Sequence, residues 1–390
     1  MRLQLITDTF LPHAGGSRFY YYNLLRRVAE SGDDVLILTS KVKGWEAFDA
    51  REQTSHLKIE RRFTPLRDHS YTQLPKIFGP MVKAFARAIW KRPDVVHCGD
   101  LYPAGVIGVV LKKALNIPFV AYCHGEDITL TDQRRFQPKL RDLIYRNANA
   151  IVANGAFAME NLERTGIDSG KVFKITPGLD RDVFFPDAGG AALRERYGLG
   201  DDEIIVMTVA RLVQRKGHAR VLRALASLRM ELPAFRYVIV GRGPMEAELR
   251  ELASTLKIED RLIFAGFVAD EDLNVHYNMA DVVAMPNTDE AGDVEGFGMV
   301  FLEANAAGKP VMGGRSGGTA EAVLDGVTGF LVGGEDESEL REALRKLMLD
   351  DELRERMGQS GWKRAHEEFD WASRAATLRR INADIMKLRI

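Results

Sequence analysis

Two glutamates, Glu295 and Glu303, lie eight positions apart in the stretch DVEGFGMVFLE, with Gly296, Phe297 and Gly298 between them. Two carboxylates that face one glycosidic bond across about 5–10 Å form the acid and base of a glycosidase. Carboxylates also accept hydrogen bonds from sugar hydroxyls, so the same pair is suited to binding a sugar nucleotide. The spacing alone leaves both chemistries open.

The residues between the two carboxylates favour the binding of a sugar nucleotide. A buried strand is predicted to end at Pro286 and a helix to begin near Gly298, which places Glu303 about 7 Å further along the axis at about 1.5 Å per residue. Glu295 stays in the loop. The free amides of residues 297–300 lie between the two carboxylates, and a helix N-terminus attracts anions. This order predicts hydroxyl groups at both ends of one ligand and phosphate in its middle, as in a nucleotide sugar.

Two bases after another apolar run suit the same ligand. Arg211 and Lys216 follow the predicted strand IIVMTVA. Arginine offers a planar fork of donors and lysine a mobile point charge, which together match a diphosphate. Arg215 stands beside Lys216, and three bases within six residues are equally typical of an exposed loop, so the spacing alone does not decide.

Glycine motifs narrow the class of nucleotide site. LITDTFLPHAGGSRFYYYNLL predicts a strand, a loop ending in Gly15-Gly16 and a helix; such a turn lets the backbone approach an anion, although a plain tight turn has the same pattern. Gly241-x-Gly243 follows a second strand, but Glu246 occupies the position of the third glycine of the dinucleotide fingerprint. The sequence also contains no P-loop pattern. These features argue against nicotinamide, flavin and P-loop enzymes.

The elements around these motifs alternate between short apolar runs and amphipathic segments. DVLILT, PFVAYC and DVVAMP predict buried parallel strands, and RFYYYNLLRRVAES and GVIGVVLKKAL predict helices between such strands. We therefore expect an α/β protein with two tandem doubly wound, Rossmann-like domains, residues 1–180 and 181–370, and a helix over 371–390 that crosses back to the first. Because such sheets bind ligands at the carboxyl ends of their strands, the site is expected in a central cleft.

Charge is divided unevenly along the chain. Of 390 residues, 46% are apolar and 28% charged, which is typical of a globular protein in water. Residues 1–180 carry 26 Lys and Arg against 19 Asp and Glu, a net +7, and residues 181–390 carry 28 against 36, a net −8. A basic first half indicates an anionic partner, and phosphate, nucleic acid and an anionic membrane all satisfy that requirement.

The remaining composition points to the cytoplasm. No apolar run approaches the about 20 residues that span a bilayer, and the first residues show no secretory signal pattern. Cys98 and Cys123 do not make a disulfide framework, and no set of Cys and His has the spacing of zinc ligands. We therefore expect a cytoplasmic protein.

At these motifs the sequence resembles the retaining glycosyltransferases of the GT-B fold, in family four (group 1), which includes sucrose-phosphate synthases and bacterial mannosyltransferases. The Glu-x7-Glu pattern from Glu295 to Glu303 is the mark of that family. ARLVQRKG, SGGTAEAVLDGVTGFLV and YCHGED match further motifs in the family's order. TPGLDRDVFFPD matches its inter-domain motif, except that Pro177 stands before Gly178 where the family usually has Asn.

The resemblance implies a role for each matching position. Arg211 and Lys216 would bind the donor diphosphate and stabilise the leaving nucleotide, and Glu303 would bind the ribose hydroxyls. Glu295 would hold the transferred sugar, and His124 would lie by the reacting carbon; these two and the basic pair are the expected catalytic residues. The other implied donor contacts are Gly15, Gly16 and Gly241 at the nucleotide, Phe267 and Val268 at the base, and Gly296, Phe297, Gly298, Met299 and Val300 at the sugar and its phosphate.

The implied reaction is transfer with retention at the anomeric carbon, through a transition state like an oxocarbenium ion. Negative charge gathers on the departing diphosphate, and Arg211 and Lys216 are expected to stabilise it. Because no Asp-x-Asp cluster is placed to hold a divalent ion, we expect no metal and no other cofactor.

The predicted identity of the donor and of the acceptor depends on a resemblance to one subgroup of the family. The segment around Glu295 is most like the bacterial glycolipid mannosyltransferases, which implies GDP-mannose as donor and a lipid-linked or saccharide acceptor, with no nucleic-acid partner. A UDP-sugar used on a soluble acceptor is the nearest alternative. A glycoside hydrolase, a nucleotide-sugar epimerase and a non-catalytic nucleotide-binding module are alternatives from other classes.

One helix suggests where an acceptor would be met. LPKIFGPMVKAFARAIWKR, residues 74–92, predicts an amphipathic helix, and a start after Pro80 is the alternative. Its apolar side consists of Met81, Val82, Phe85, Ile89 and Trp90, and its basic side of Lys83, Arg87 and Lys91. A basic amphipathic helix can lie on an anionic bilayer, which predicts a peripheral position at the inner face of the cell membrane. A helix packed on a sheet has the same pattern, so both interpretations stay open.

Overall fold

The chain folds into two compact units. The computed structural model describes residues 1–13, 15–63, 74–133, 137–333 and 337–387. Unit 1 combines Met1–Gly178 with the C-terminal helix Trp371–Lys387, and unit 2 is Leu179–Asp370. The chain passes from the first unit to the second within the stretch TPGLD.

Unit 1 is built on a parallel sheet. Its described strands are β1 (Arg2–Ile6), β2 (Asp34–Ser40), β3 (Leu57–Phe63), β4 (Val95–Cys98), β5 (Phe119–Cys123), β6 (Ala150–Ala153) and β7 (Val172–Lys174). They lie in the order β3-β2-β1-β4-β5-β6-β7, and the described pairings are parallel. The strand order reverses between β1 and β4, the position at which doubly wound sheets bind ligands.

Helices cover both faces of this sheet. The described helices are α1 (Gly16–Glu30), α2 (Trp45–Glu52), α3 (Leu74–Trp90), α4 (Val106–Leu115), α5 (Glu126–Asp132), α6 (Gln137–Asn147), α7 (Ala156–Arg164) and, from the end of the chain, α16 (Trp371–Lys387). Successive strand residues alternate between two cores: Leu5 of β1 packs with α1, α2 and α16, and Ile6 with the helices of the other face. Burial on both faces explains why these strands are continuous apolar runs.

Unit 2 repeats the architecture. Its described strands are β8 (Ile204–Val209), β9 (Phe235–Val240), β10 (Leu262–Gly266), β11 (Val282–Met285), β12 (Val311–Gly314) and β13 (Gly329–Val332), parallel in the order β10-β9-β8-β11-β12-β13. Its described helices are α8 (Gly190–Tyr197), α9 (His218–Leu228), α10 (Glu246–Thr255), α11 (Asp270–Met279), α12 (Met299–Ala306), α13 (Thr319–Ala322), α14 (Glu337–Leu349) and α15 (Asp351–Glu368). Two doubly wound α/β units are confirmed.

The edge strand β3 lacks the apolar signature of the other strands. Its sequence LKIERRF carries four charges, yet Leu57, Ile59 and Phe63 are buried in alternation. Arg61 is buried as well, and its guanidinium lies 2.8 Å from the buried carboxylate of Asp49 on α2. A buried arginine with a carboxylate partner therefore takes a core position that a hydropathy pattern does not reveal.

Helix α3 begins at the first residue of the predicted range. It runs from Leu74 to Trp90 and contains Pro80, so only the alternative start after that proline is wrong. Proline cannot donate the i→i−4 hydrogen bond, and here that loss is tolerated close to the first turns of a 17-residue helix.

The predicted apolar side of α3 is also divided. Ala84 and Ala88 are buried, and Met81 and Phe85 pack against the same core. The other apolar side chains point to solvent, with exposed fractions of 48–81%: Phe78, Val82, Ile89 and Trp90. Two alanines and two larger apolar residues of α3 therefore pack towards the core, and four large apolar residues remain outside it.

The C-terminal helix α16 is anchored on unit 1. Trp371, Leu378 and Ile381 join the core beneath α1. A Cβ atom on Gly178 would lie 2.6 Å from the Trp371 ring, so glycine is required there for the close approach. Arg379 Nε also lies 2.6 Å from the buried Asp33 carboxylate.

Candidate functional site

In unit 2 the residues singled out by sequence follow the carboxyl ends of neighbouring strands. Arg211 and Lys216 follow β8, Gly241 follows β9, and Phe267 follows β10. Glu295 lies in the loop between β11 and α12. Parallel strands end at the same edge of a sheet, so all five lie along the edge where α/β sheets bind ligands.

The three bases after β8 differ in their surroundings. Arg211 is exposed, whereas Arg215 is only 7% exposed and forms two ion pairs. Its Nη1 donates to Glu295 Oε2 at 2.9 Å, and its Nε lies 2.8 Å from Asp293 Oδ1. Lys216 Nζ donates to the same oxygen of Glu295. The loop carboxylate is thus held by two cations.

This cluster keeps Glu295 ionised. Burial alone would raise the pKa of the Glu295 carboxyl, but the charges and hydrogen bonds of Lys216 and Arg215 outweigh burial and hold that pKa below its usual range. Burial lowers the pKa of Lys216, and the attraction of Glu295 opposes that shift. The sequence assigned Lys216 to a diphosphate and Glu295 to a sugar; the structure joins them in one hydrogen-bonded cluster.

The loop before α12 is shaped by glycines on both sides. Gly298 has a φ of +89° and precedes the first residue of the helix, as predicted. A Cβ on Gly317 would lie 2.1 Å from the Glu295 carbonyl oxygen, and one on Gly318 2.1 Å from that of Gly296. The Gly318 amide donates to the Glu295 carbonyl at 2.7 Å. The SGG motif, residues 316–318, therefore packs closely against the backbone that carries Glu295 and hydrogen-bonds to it.

The side chain of Phe297 is not available to a ligand. It is buried and packs edge-on against Phe369, with ring centroids 6.0 Å apart. Met299 and Val300 form the first turn of α12, whose leading amides have no helical partner. Backbone amides are therefore the groups that this stretch presents to an anion.

Buried Asn287 links the two loops that frame this site. Its side-chain Nδ2 donates to Thr319 Oγ1 at 3.0 Å, and its side-chain Oδ1 accepts from the Gly314 amide at 3.1 Å. A Cβ on Gly314 would lie 1.7 Å from the main-chain carbonyl oxygen of Asn287. Asn287 thus holds the end of β12 against the loop that leads to Glu295.

Glu303, on α12, has a different environment from Glu295. Its Oε2 accepts a hydrogen bond from the hydroxyl of buried Tyr277 at 2.7 Å. Burial raises the pKa of Glu303 to about 7, the Tyr277 hydrogen bond opposes that shift, and Asp270 adds to it. Glu303 is partly exposed, so its carboxylate keeps hydrogen-bonding capacity for donors besides this phenol, such as the hydroxyls of a ribose.

The glycines after β9 serve close backbone packing. Gly241 has a φ of +135°, and a Cβ there would lie 1.9 Å from the Ala210 carbonyl oxygen. A Cβ on Gly243 would lie 2.4 Å from the Leu212 carbonyl oxygen. Both glycines let the ends of β8 and β9 meet, which explains a Gly-x-Gly pair without a dinucleotide.

The end of β10 presents an aromatic side chain to solvent. Phe267 is 63% exposed, whereas neighbouring Val268 packs partly on the core. The Gly266 carbonyl accepts from the Gly241 amide at 2.7 Å, which ties this segment to the end of β9. The two residues predicted to meet a base therefore lie beside the glycine turn predicted to meet the nucleotide.

In unit 1 the glycine pair after β1 opens helix α1. The helix begins at Gly16, and a Cβ on Gly15 would lie 2.1 Å from Arg18 Nη1. Arg18 Nε donates to Thr9 Oγ1 at 2.7 Å, so the arginine bends back over the loop. Gly15 makes room for this side chain, and the first amides of α1 are left for an anion.

His124 immediately follows β5 and is buried. Its amide donates to Asp127 Oδ2 at 2.7 Å, and its ring Nε2 lies 2.6 Å from the hydroxyl of Tyr21 on α1. Burial lowers the pKa of His124, and Asp127 only partly opposes that shift, so the ring is neutral near pH 7. Gly125, with a φ of +87°, turns the chain from β5 into α5.

Four residues near these positions were missed by the sequence analysis: Arg215, Asn287, Tyr277 and Tyr21. Arg215 was weighed as part of an exposed loop, because three bases in a turn usually are exposed. The two tyrosines lie on helices whose apolar spacing predicts only core packing. Asn287 lies two residues after the end of β11, and a polar residue so close to a strand end is the one signal that could have marked it.

Two kinds of feature are absent from the described ranges. No group of three or more His, Cys, Asp or Glu side chains is placed to hold a metal ion there. No helix within the same ranges is long and apolar enough to cross a membrane.

Two family models match the chain. "Glycosyltransferase Family 4" matches residues 14–183, and "Glycosyl transferases group 1" matches residues 191–364. Together with relatives more than 30% identical over nearly the whole length, these matches show that the chain belongs to the family four, group 1 glycosyltransferases.

The relatives include enzymes that are named for inositol-containing compounds. The chain is 33% identical, over 379 residues and 96% of both chains, to the GDP-mannose-dependent alpha-(1-6)-phosphatidylinositol monomannoside mannosyltransferase of Mycolicibacterium smegmatis. It is 30% identical, over 97% of its length and 93% of the relative, to the D-inositol 3-phosphate glycosyltransferase of Corynebacterium aurimucosum. The resemblance seen in the sequence is confirmed, and a glycoside hydrolase, an epimerase and a non-catalytic module are set aside.

Solved structures share the fold. Sucrose-phosphate synthase from Thermosynechococcus elongatus superposes with a TM-score of 0.85 at 23% identity, covering 99% of both chains. Anabaena HepE in complex with UDP and glucose gives a TM-score of 0.81 at 20% identity, covering 98% of this chain and all of the other. The GT-B fold expected from the sequence is therefore confirmed.

Proposed function

We propose that this glycosyltransferase moves mannose from GDP-mannose, with retention at the anomeric carbon, to a lipid-linked or saccharide acceptor. The observation that carries the proposal is the cluster in which Arg215 and Lys216 surround Glu295 beside the free amides of α12. Cations and amides suit a diphosphate, and the carboxylate suits sugar hydroxyls. The choice of donor and of a lipid acceptor rests on the named activity of the mycobacterial relative.

The roles divide between the units. Unit 2 is the proposed donor unit: Arg211 and Lys216 bind the diphosphate, Glu303 binds ribose, and the main chain at Phe267 and Val268 meets the base. Unit 1, with its returning helix α16, is the proposed acceptor unit, in which Gly16 approaches the diphosphate. His124 lies by the sugar that is transferred.

The chemistry is charge stabilisation. As the glycosidic bond to the diphosphate breaks, negative charge grows on the phosphate oxygen, and Lys216 and Arg211 stabilise it. The positive charge that develops on the sugar ring resembles that of glycoside hydrolysis. The leaving phosphate oxygen takes the proton of the acceptor hydroxyl, so no protein base is needed, and the cations make a divalent metal unnecessary.

A nucleotide panel followed by turnover tests the proposal. GDP, UDP and ADP are compared as stabilisers in thermal unfolding, where a ligand at 100 times its Kd adds about 2.7 kcal/mol. We expect GDP to stabilise most, GDP-mannose to release GDP only when an acceptor is present, and EDTA to leave the rate unchanged. The anomeric configuration of the product, read by NMR, tests retention.

Three results would change the proposal. A larger shift with UDP and turnover of a UDP-sugar would favour the alternative donor. Loss of rate in EDTA that magnesium restores would refute metal independence. A product whose anomeric configuration is opposite to that of the GDP-mannose donor would refute retention.

Helix α3 supports a second, separate element of the proposal, docking on an anionic membrane. Its exposed apolar surface, defined by Phe78, Val82, Ile89 and Trp90, is one that a bilayer interface can bury. Lys83 and Lys91 are exposed beside it, and each basic residue near an anionic surface adds about 1 kcal/mol. Membrane docking would bring a lipid-linked acceptor to the enzyme.

The structure changes the expected contribution of one base on this helix. Arg87 is largely buried and pairs with Glu60 at 3.1 Å, so its charge is already compensated. Lys83 Nζ donates to the carbonyl oxygen of Arg62 at 2.7 Å, and no carboxylate among the described residues pairs with it. We therefore expect the two lysines to contribute more to binding than Arg87.

Co-sedimentation with vesicles tests docking. Binding should require anionic lipid, weaken with salt, and fall in Trp90→Ser and in the double variant Lys83→Gln, Lys91→Gln. Met230→Ser is the matched control, since Met230 is an 89% exposed apolar residue of unit 2. No binding to anionic vesicles at low salt would overturn docking and favour a soluble acceptor.

A further inference from the structure

The imidazole of His124 is held by a phenol whose own contacts define where the ring proton lies. Tyr21 is on α1, and its side chain is buried. Its hydroxyl oxygen lies 2.6 Å from His124 Nε2 and is also hydrogen-bonded to the carbonyl oxygen of Gly99, the residue after β4. Helix α1 and the loops that follow β4 and β5 therefore meet at a single oxygen atom.

The donors and acceptors at this oxygen can be assigned without seeing hydrogens. A carbonyl oxygen can only accept, and a phenol has one proton. The Tyr21 proton therefore goes to Gly99, and the second contact must be a hydrogen bond in which His124 Nε2–H donates to the phenol oxygen. The proton of the imidazole is consequently on Nε2.

The surroundings support this assignment. Burial raises the pKa of the Tyr21 hydroxyl well above its usual range, so the phenol keeps the proton that it donates. Burial lowers the pKa of His124, so the ring carries a single proton. A neutral ring protonated on Nε2 has an unprotonated Nδ1 with a free lone pair.

Packing holds both rings in this relation. The His124 ring lies 5.5 Å from the Tyr21 ring and 5.6 Å from that of Tyr20, which is perpendicular to it. A Cβ on Gly99 would lie 3.0 Å from the Tyr21 ring, so a larger residue there would displace the phenol from its carbonyl partner.

We propose that Tyr21 is a positioning residue, whose hydroxyl fixes His124 as the neutral Nε2–H tautomer and leaves Nδ1 as the acceptor for a hydroxyl of the transferred sugar. The contact with sugar rests on the proposed function. The tautomer rests on the geometry of unit 1 alone.

Nitrogen NMR of the full chain labelled at histidine tests the tautomer directly. In the wild type we expect a pyrrole-type signal for Nε2 of His124 and a pyridine-type signal for Nδ1. His124→Gln identifies the signals, because they disappear in that variant. In Tyr21→Phe, Nε2–H loses its acceptor, and we expect both nitrogens to move towards the averaged values of a tautomer mixture.

Tyr20→Phe is the matched control. Tyr20 is the neighbouring buried tyrosine of the same helix, and its hydroxyl donates to the Ile175 carbonyl at 2.7 Å rather than to His124. We expect it to leave the tautomer unchanged. Donor kcat/KM should fall by up to about tenfold in Tyr21→Phe, as the loss of one hydrogen bond permits, and less in Tyr20→Phe.

The outcomes separate this proposal from the proposed function. A wild-type His124 protonated on Nδ1, or a tautomer unchanged by Tyr21→Phe, would overturn the role of Tyr21. The wild-type spectrum decides the first point even if a variant does not fold. Failure to turn over any nucleotide sugar would refute the proposed function and leave the NMR comparison intact.

Discussion

The candidate residues of the two units are held by opposite electrostatic means. In unit 2, Glu295 is buried between Arg215 and Lys216, and its charge persists because two cations compensate it. In unit 1, His124 is buried among tyrosines, and burial makes its ring neutral. Buried charge needs partners, whereas a buried neutral ring needs only hydrogen bonds, so the two sites should respond differently to mutation, salt and pH.

Removing the lysine of unit 2 should have the largest effect. Lys216→Ala is expected to lower kcat by roughly 10²–10³, since a cation aimed at developing charge contributes that much. Donor Kd should rise less, because the charge on the diphosphate grows in the transition state. Steady-state rates and nucleotide titration measure the two quantities.

Arg223→Ala is a suitable control for Lys216→Ala, because Arg223 is an exposed base of α9, close in sequence. It should change neither quantity appreciably. If Lys216→Ala weakens binding and kcat/KM by the same factor, the lysine only grips the donor and the catalytic assignment is wrong.

Arg215 and Arg211 provide a matched pair for stability. Arg215→Ala should destabilise unit 2 by about 3 kcal/mol, because it removes one of the two cations that pair with the largely buried Glu295 carboxylate. Arg211→Ala, at an exposed position of the same loop, should stay within about 0.5 kcal/mol. Urea unfolding followed by circular dichroism distinguishes them; equal small losses would mean that Lys216 alone compensates Glu295.

Glu303→Gln should weaken donor binding by about 1.5–3 kcal/mol, the contribution of hydrogen bonds to a charged acceptor. Because burial raises the pKa of Glu303 to about 7, the carboxylate is the acceptor only above that pH. Wild-type affinity for the nucleotide should therefore fall as pH is lowered from 8 to 6, and Glu303→Gln should lose that dependence. Calorimetric titration across this range measures both.

Lowering the pH should weaken nucleotide binding through Glu303, but it should stabilise the folded protein through the same carboxyl group. The pKa of Glu303 in the folded state lies above the usual 4.5, so the folded state binds the proton more tightly than the unfolded state does. The contribution of protonated Glu303 to the free energy of unfolding is fully present below about pH 4.5 and is lost as the pH rises through about 7. Unfolding of wild type and Glu303→Gln without nucleotide should diverge across this window; parallel curves would contradict the raised pKa.

The smallest effect is expected in unit 1. His124→Gln should lower kcat by less than about a hundredfold, since a single neutral hydrogen-bonding group is exchanged for another. Because burial keeps His124 neutral, its removal should not change the shape of the pH–rate profile between pH 6 and 8. A limb of the wild-type profile that disappears in His124→Gln would show that this ring titrates, and the contrast between the units would fail.

Much of the fold could be predicted because strands that are buried on both faces of a sheet are continuous apolar runs in the sequence. The strands VVAM and FVAYC are apolar throughout, and both are central in their sheets. The hydropathy pattern does not reveal β3, because this strand lies at the edge of the sheet and its sequence LKIERRF carries charges. At α3 the apolar spacing correctly predicts a helix, but it does not distinguish side chains that face the core from those that face solvent.

The candidate site was predicted less completely. Glu295, Glu303 and Lys216 were identified because charged residues beside glycines and strand ends are unusual. Arg215 was not, because a base in a turn is normally solvated and only its burial reveals its role. Tyr277 and Tyr21 act through single hydroxyls on apolar helix faces, and spacing does not distinguish such a hydroxyl from core packing.

The sequence by itself determined two parallel α/β units, the family and the polar residues at the strand ends, because these depend on periodicity and on short motifs within the chain. The tertiary structure alone decided which charges are compensated, which proton His124 carries and which face of α3 is exposed. Those properties depend on distances between residues far apart in sequence: 80 positions separate Arg215 from Glu295, and 103 separate Tyr21 from His124. Electrostatic energies and hydrogen-bond directions are set by such distances, and a linear pattern does not contain them.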